Sequence, residues 1–63
     1  MNKIKYHEDD LLTTRTVANL LNVSVRTVQR LISERRVIPG WKIGGTLKVR
    51  YADVLKYLRR CKL

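Results

Sequence analysis

Arg26, Gln29, Arg30 and Ser33 stand at i, i+3, i+4 and i+7 in the stretch SVRTVQRLISER, residues 24–35. In a helix, at about 100° per residue, these four share one stripe, while Val25, Val28, Leu31 and Ile32 fall on the other side. The polar stripe holds two guanidiniums, a carboxamide and a hydroxyl. Guanidinium donors match the O6 and N7 acceptors of guanine, a carboxamide matches N6 and N7 of adenine, and hydroxyls bond bases or phosphate. The chemistry on offer is recognition of a DNA major groove, and the opposite apolar stripe is what a supporting platform would pack against.

Composition agrees with a polyanionic partner. The chain has 63 residues, 14 basic and 5 acidic, for a net charge of +9, which is large for one small domain. The charge is uneven. Residues 1–10 carry Lys3 and Lys5 against Glu8, Asp9 and Asp10, whereas residues 11–63 carry 12 basic and 2 acidic groups. A chain of this length buries only about 60% of its unfolded surface and has no room for a deep catalytic cleft. Outside the acidic run only Glu34 and Asp53 remain as carboxylates, and neither has a visible partner for acid–base chemistry, so enzyme function is not expected. Cys61 and His7 are the only cysteine and histidine. They predict no disulfide, no zinc site and no cofactor, and a reducing cytoplasm as the setting. Neither a membrane span nor a signal-peptide core is expected.

The elements that would position the stripe follow from local signals. Residues 1–10 lack a period and read as a mobile or loosely docked arm, with residues 11–63 as the folded domain. Thr13 and Ser24 stand as N-caps of two short helices, the first ending near Leu21 with Val17, Leu20 and Leu21 on its core face. Leu12 with Val17, and Val23 with Val28, have the spacing of hydrophobic staples. The link between the helices is so short that it predicts a steep crossing, and Asn22 tolerates the left-handed backbone that such a link needs. Pro39 and Gly40 end the helical stretch. Trp41 and Ile43, then Leu47 and Val49, alternate with Lys42, Lys48 and Arg50 around Gly44-Gly45, which predicts a two-stranded hairpin with one apolar face packed on the helices and one basic face. The final segment places Tyr51, Val54, Leu55 and Leu58 at helical spacing, with Asp53 early and Arg59, Arg60 and Lys62 late, as the helix dipole favours.

Three phrases in order, LLTTRTVANLLNVSVRTVQRLI, PGWKIGGTLKVR and DVLKYL, resemble the excisionase-type winged helix-turn-helix domain of the MerR-like superfamily. The resemblance implies an α+β fold: two helices, a two-stranded wing and a closing helix. It also implies roles for individual residues. Arg26, Thr27, Gln29, Arg30 and Ser33 would enter the major groove. Lys42, Gly44, Gly45, Thr46 and Lys48 would form a wing on the minor groove or its phosphates. Arg15 and Ser24 would face the DNA backbone.

Three features depart from the family pattern. Arg35 and Arg36, with one extra residue before Pro39, replace the usual glycine after the second helix. Thr16 replaces a common glutamate and leaves the capping box incomplete. Tyr57 replaces a tryptophan of the closing helix, while Trp41 appears in the wing and is expected in the core.

The leading expectation is a recombination directionality factor that bends DNA and helps a tyrosine-type integrase of a phage or mobile element in excision. With the sequence ending at Leu63, the long dimerising helix of MerR-like regulators is not expected. Affinity would then need phosphate contacts, cooperative self-association on DNA, or a protein partner. A small transcriptional regulator would use the same surface. A protein-binding module using the closing helix would not bind DNA.

Overall fold

The computed structural model describes residues 6–62. In chain order the elements are β1 (Leu11–Thr13), α1 (Thr14–Leu21), α2 (Val25–Ser33), β2 (Trp41–Ile43), β3 (Thr46–Arg50) and α3 (Tyr51–Cys61). This is the α+β architecture of a winged helix-turn-helix, with one strand more than the sequence signals predict. Leu11–Thr13 is too short to show a period and reads as a lead-in to α1. It pairs antiparallel with β3, Leu12 opposite Val49, and the sheet order is β1-β3-β2.

Both helices of the pair begin on a hydroxyl device. The Thr16 N–H donates to Thr13 Oγ1 at 3.2 Å and the Thr27 N–H donates to Ser24 Oγ at 3.1 Å. In each pair the two side-chain oxygens also lie 3.0 Å apart. A threonine at the third helical position thus meets the capping hydroxyl through its own hydroxyl, in place of a glutamate reaching back. α1 ends as a Schellman turn: Asn22 sits at φ 58°, its N–H donates to Asn19 O, and the Val23 N–H donates to Ala18 O at 2.9 Å. Left-handed backbone at one residue lets α2 start three residues later.

The buried core is Leu12, Val17, Ala18, Val28, Leu31, Ile38, Val49 and Val54, with Tyr6, Leu21, Val25, Ile32, Val37, Tyr51 and Tyr57 packed around it. Three expectations for the helices are corrected here. Leu20 is exposed, because the buried face of α1 is centred between Val17, Ala18 and Leu21, and Leu20 lies about a quarter-turn off that centre. Val23 is exposed although its staple partner Val28 is buried. Leu58 is exposed as well, one turn beyond the buried Val54, while its neighbour Tyr57 packs against the core.

The expected apolar face of the hairpin is also corrected. Gly44 and Gly45, at φ 59° and 79°, form a two-residue turn of the kind that requires positive φ. The turn fixes Ile43 opposite Thr46, Lys42 opposite Leu47 and Trp41 opposite Lys48. Directly opposed residues share a face, so Trp41 and Ile43 lie with Thr46 and Lys48, on the other side from Leu47 and Val49. Only the second pair faces the helices. Val49 is fully buried and Leu47 partly so, whereas Trp41 and Ile43 are each 49% exposed.

Residues 7–10 close the fold at the far end of the sheet. The Tyr51 N–H donates to Asp10 O at 2.9 Å and the Ala52 N–H donates to Glu8 O at 3.0 Å. These carbonyls satisfy the unpaired donors at the start of α3, whose N-cap residue, Arg50, offers no side-chain cap. The turn is held by the His7 N–H donating to Asp10 Oδ2 at 2.9 Å, and Tyr6 packs on Tyr51 with ring centroids 5.4 Å apart. Of the stretch read as an arm, residues 6–10 therefore dock on α3, with their acids beside the positive end of its dipole. Residues 1–5 lie outside the described residues.

Candidate nucleic-acid interface

The second helix of the pair presents its polar stripe to solvent. Arg26, Gln29, Arg30 and Ser33 are all exposed, while Val28 and Leu31 are buried behind them and Val25 and Ile32 partly so. Among the described residues, neither guanidinium of the stripe is in a salt bridge; the one ion pair present, Arg50 with Asp9 at 3.4 Å, lies elsewhere and is exposed. Two neighbouring hydroxyls are committed. Thr27 is partly buried against the Ser24 cap, and Ser33 Oγ donates to Gln29 O at 2.7 Å, so its proton is spent inside the helix while its lone pairs still accept. Arg26, Gln29 and Arg30 are the side chains with all their donors available. Arg15 is exposed in the first turn of α1, and Ser24 is exposed at the α2 cap.

The end of α2 absorbs the extra residue noted in the sequence. The Glu34 and Arg35 N–H groups both donate to Arg30 O at 2.9 Å, and the Val37 N–H reaches back six residues to Leu31 O at 3.0 Å. Arg36 takes φ 52°, the left-handed conformation for which glycine is the usual residue. The chain then returns with Ile38 fully buried and Gly40 against α2. A Cβ on Gly40 would stand 2.5 Å from Ile32 Cγ2 and 3.1 Å from Leu47 Cδ1. The glycine read as a helix stop is thus also a point of close approach to α2 and β3.

Within the wing, Gly44, Gly45 and Thr46 form an exposed tip, Lys42 is exposed, and Lys48 is partly buried between β1 and β2. The structure places these five residues on one hairpin but puts Lys42 and Lys48 on opposite faces of it.

The cationic C-terminal turn is legible in the sequence, but its meeting with the end of α2 is not. Arg35 and Arg60 line a shallow groove with Leu31, Val37, Tyr57 and Cys61, on the α3 side of α2. Interaction with the Cys61 side chain, then desolvation, raises the Tyr57 phenol above its usual range, while Arg35 and Arg60 act in the opposite direction. The i, i+4 spacing of Tyr57 and Cys61 was a readable signal for their contact; that of Arg35 with Arg60 was not.

A tight helix pair, an exposed guanidinium and carboxamide stripe on its second helix, and a cationic hairpin beside it define a winged helix-turn-helix DNA-binding domain. The family model described as "Helix-turn-helix domain" matches residues 11–62. The chain belongs to this helix-turn-helix family. No curated protein and no solved structure matches it. No helix among the described residues is long and apolar enough to cross a membrane.

Proposed function

We propose that the chain is a sequence-specific, architectural double-stranded DNA-binding protein, an excisionase that assists a tyrosine-type integrase of a phage or mobile element. The observation that carries the DNA reading is the exposed stripe of Arg26, Gln29 and Arg30 on the second helix of the pair. In this reading those three, with Thr27 and Ser33, lie in the major groove and supply base contacts. The wing, with Gly44, Gly45 and Thr46 at its tip and Lys42 and Lys48 on its two faces, lies at the minor groove or its phosphates. Arg15 and the exposed Ser24 cap lie on the flanking backbone, where helix N-termini favour phosphate.

The excision role is supported by the likeness of the three phrases across residues 11–58 to excisionase-type domains. One helix and one wing offer few base contacts, so the reading includes several copies side by side on DNA and an integrase as partner. It places the protein on DNA in a bacterial cytoplasm.

The test is a DNA-bending assay paired with an in vitro excision reaction containing the integrase of the same element. The expected result is a bent complex and stimulated excision. Bending with no effect on excision makes the protein a transcriptional regulator using the same surface. Absence of binding to duplex at low salt removes the DNA reading altogether.

A further inference from the structure

The outward face of the sheet carries apolar side chains for which the fold has no use. Trp41 and Ile43, on the edge strand β2, are each 49% exposed. Neither is among the buried core residues. They are two apart on one strand, hence adjacent on one face, and the register sets Lys48 directly opposite Trp41 and Thr46 directly opposite Ile43. Thr13 on β1, directly opposite Lys48, continues the same row with its hydroxyl turned to the α1 cap. The result is a patch in which an indole and a branched aliphatic side chain stand beside an ammonium and the Thr46 hydroxyl. Adjacent exposed apolar groups of this size mark a contact surface, and the flanking charge selects an anionic partner. A duplex backbone presents that combination: apolar deoxyribose walls between phosphates.

We infer that this outward face, and not the face bearing Lys42, is the DNA surface of the wing, with Trp41 and Ile43 packed on the sugar wall and Lys48 on a phosphate. The inference rests on the DNA reading above and adds a contact of a different kind. Trp41 and Ile43 contribute by removing apolar surface from water, so their share of the affinity does not depend on salt. Gly44-Gly45 sets the arrangement: a turn one residue longer would move Trp41 and Ile43 onto the inner face with Leu47 and Val49.

Trp41 is the only tryptophan, so its emission reports this surface without labelling or substitution. The experiment titrates the wild-type chain with a duplex of about 15 base pairs, one and a half turns, at low salt. Binding is followed independently by the anisotropy of a dye on the DNA, and Trp41 by emission and acrylamide quenching. Saturation is expected to change the emission and roughly halve the quenching constant, as the ring leaves water. Trp41→Ala and Ile43→Ala are expected to bind about five- to tenfold more weakly with the salt slope unchanged, the loss of an apolar contact. Thermal melts of both variants confirm that the fold persists.

Duplex binding with unaltered Trp41 emission and quenching overturns the inference and leaves the DNA reading intact. Protection that appears only when more than one protein occupies a longer duplex also overturns it, and makes the face a contact between neighbouring copies. No duplex binding at all sinks both.

Discussion

Trp41 and Lys48 are direct partners across the β2–β3 ladder, so the indole and the ammonium lie on one face while Lys42, one residue along from Trp41, lies on the other. The two wing lysines therefore lie on different faces of the hairpin, and only Lys48 lies on the face proposed to meet DNA. Lys48→Ala should weaken binding to every duplex similarly and lower the salt slope by about one unit, the release of one phosphate contact. Lys42→Ala should change the slope by less than about half of that. Binding isotherms at four or five salt concentrations measure both. Equal slopes for Lys48→Ala and the wild type would remove Lys48 from the interface.

Arg30 is exposed in the middle of α2, one turn after Arg26 and beside Gln29. If it makes a bidentate base contact, Arg30→Ala costs about 1 to 3 kcal/mol on the cognate site and much less on mixed sequence, so preference at one base pair relaxes. Competition of cognate against mixed duplex reads the difference. Uniform loss on both duplexes would make Arg30 a phosphate clamp.

The hydroxyl caps separate stability from recognition. Ser24→Ala removes the acceptor for the Thr27 N–H and should cost about 1 kcal/mol of stability by denaturant titration. Neither α1 nor α2 has an acid in its first turn. Thr16→Glu in α1 completes a capping box and complements the dipole, and should stabilise the fold by about 0.5 kcal/mol. The corresponding Thr27→Glu places a carboxylate on the proposed DNA side of α2. It should stabilise comparably and weaken duplex binding. Unimpaired binding by Thr27→Glu would argue that the α2 N-terminus does not approach the phosphates.

Most of this fold was legible because its signals are local: both N-caps, the Asn22 turn, the Gly44-Gly45 hairpin and the apolar seam of α2 each lie within a few residues. The misplacement of Trp41 and Ile43 had a different origin. Each strand alternates correctly by itself, but the faces join only through the turn. A two-residue loop sets 43 opposite 46, which puts odd-numbered β2 residues with even-numbered β3 residues. The register was therefore implied by Gly44-Gly45 and overruled by reading the apolar residues of both strands, Trp41 and Ile43 with Leu47 and Val49, onto a single face. β1 and the docking of Glu8 and Asp10 on α3 depend on contacts some 40 residues apart in sequence, and three strand residues or a backbone carbonyl leave no periodic trace.

Gly40 ties the wing to α2 by close approach. Gly40→Ala would place a methyl group 2.5 Å from Ile32 Cγ2, so the wing must move away from α2 or Ile32 must give up its position. The expected cost is about 1 to 3 kcal/mol of stability, with a further loss of DNA affinity because helix and wing no longer match the same duplex. Pairing it with Ile32→Leu, which removes the Cγ2 branch at nearly constant volume, should recover part of both losses. Failure of that pair to recover stability would mean that the clash with Leu47 Cδ1, at 3.1 Å, dominates.

Arg36 holds φ 52° at the turn that leads from α2 to the wing, where a residue with a Cβ costs roughly 1 to 2 kcal/mol relative to glycine. Part of that is offset in the unfolded chain, since an arginine there has less backbone freedom to lose. Arg36→Gly should therefore stabilise the domain by about 0.5 to 1 kcal/mol, seen as a higher denaturant midpoint with unchanged slope. The same variant removes one exposed cation beside the interface. If the guanidinium reaches a phosphate, the gain in stability is accompanied by weaker duplex binding and a salt slope lower by about one unit. A stabilised variant with unchanged binding would show that the arginine is tolerated at this turn and takes no part in recognition.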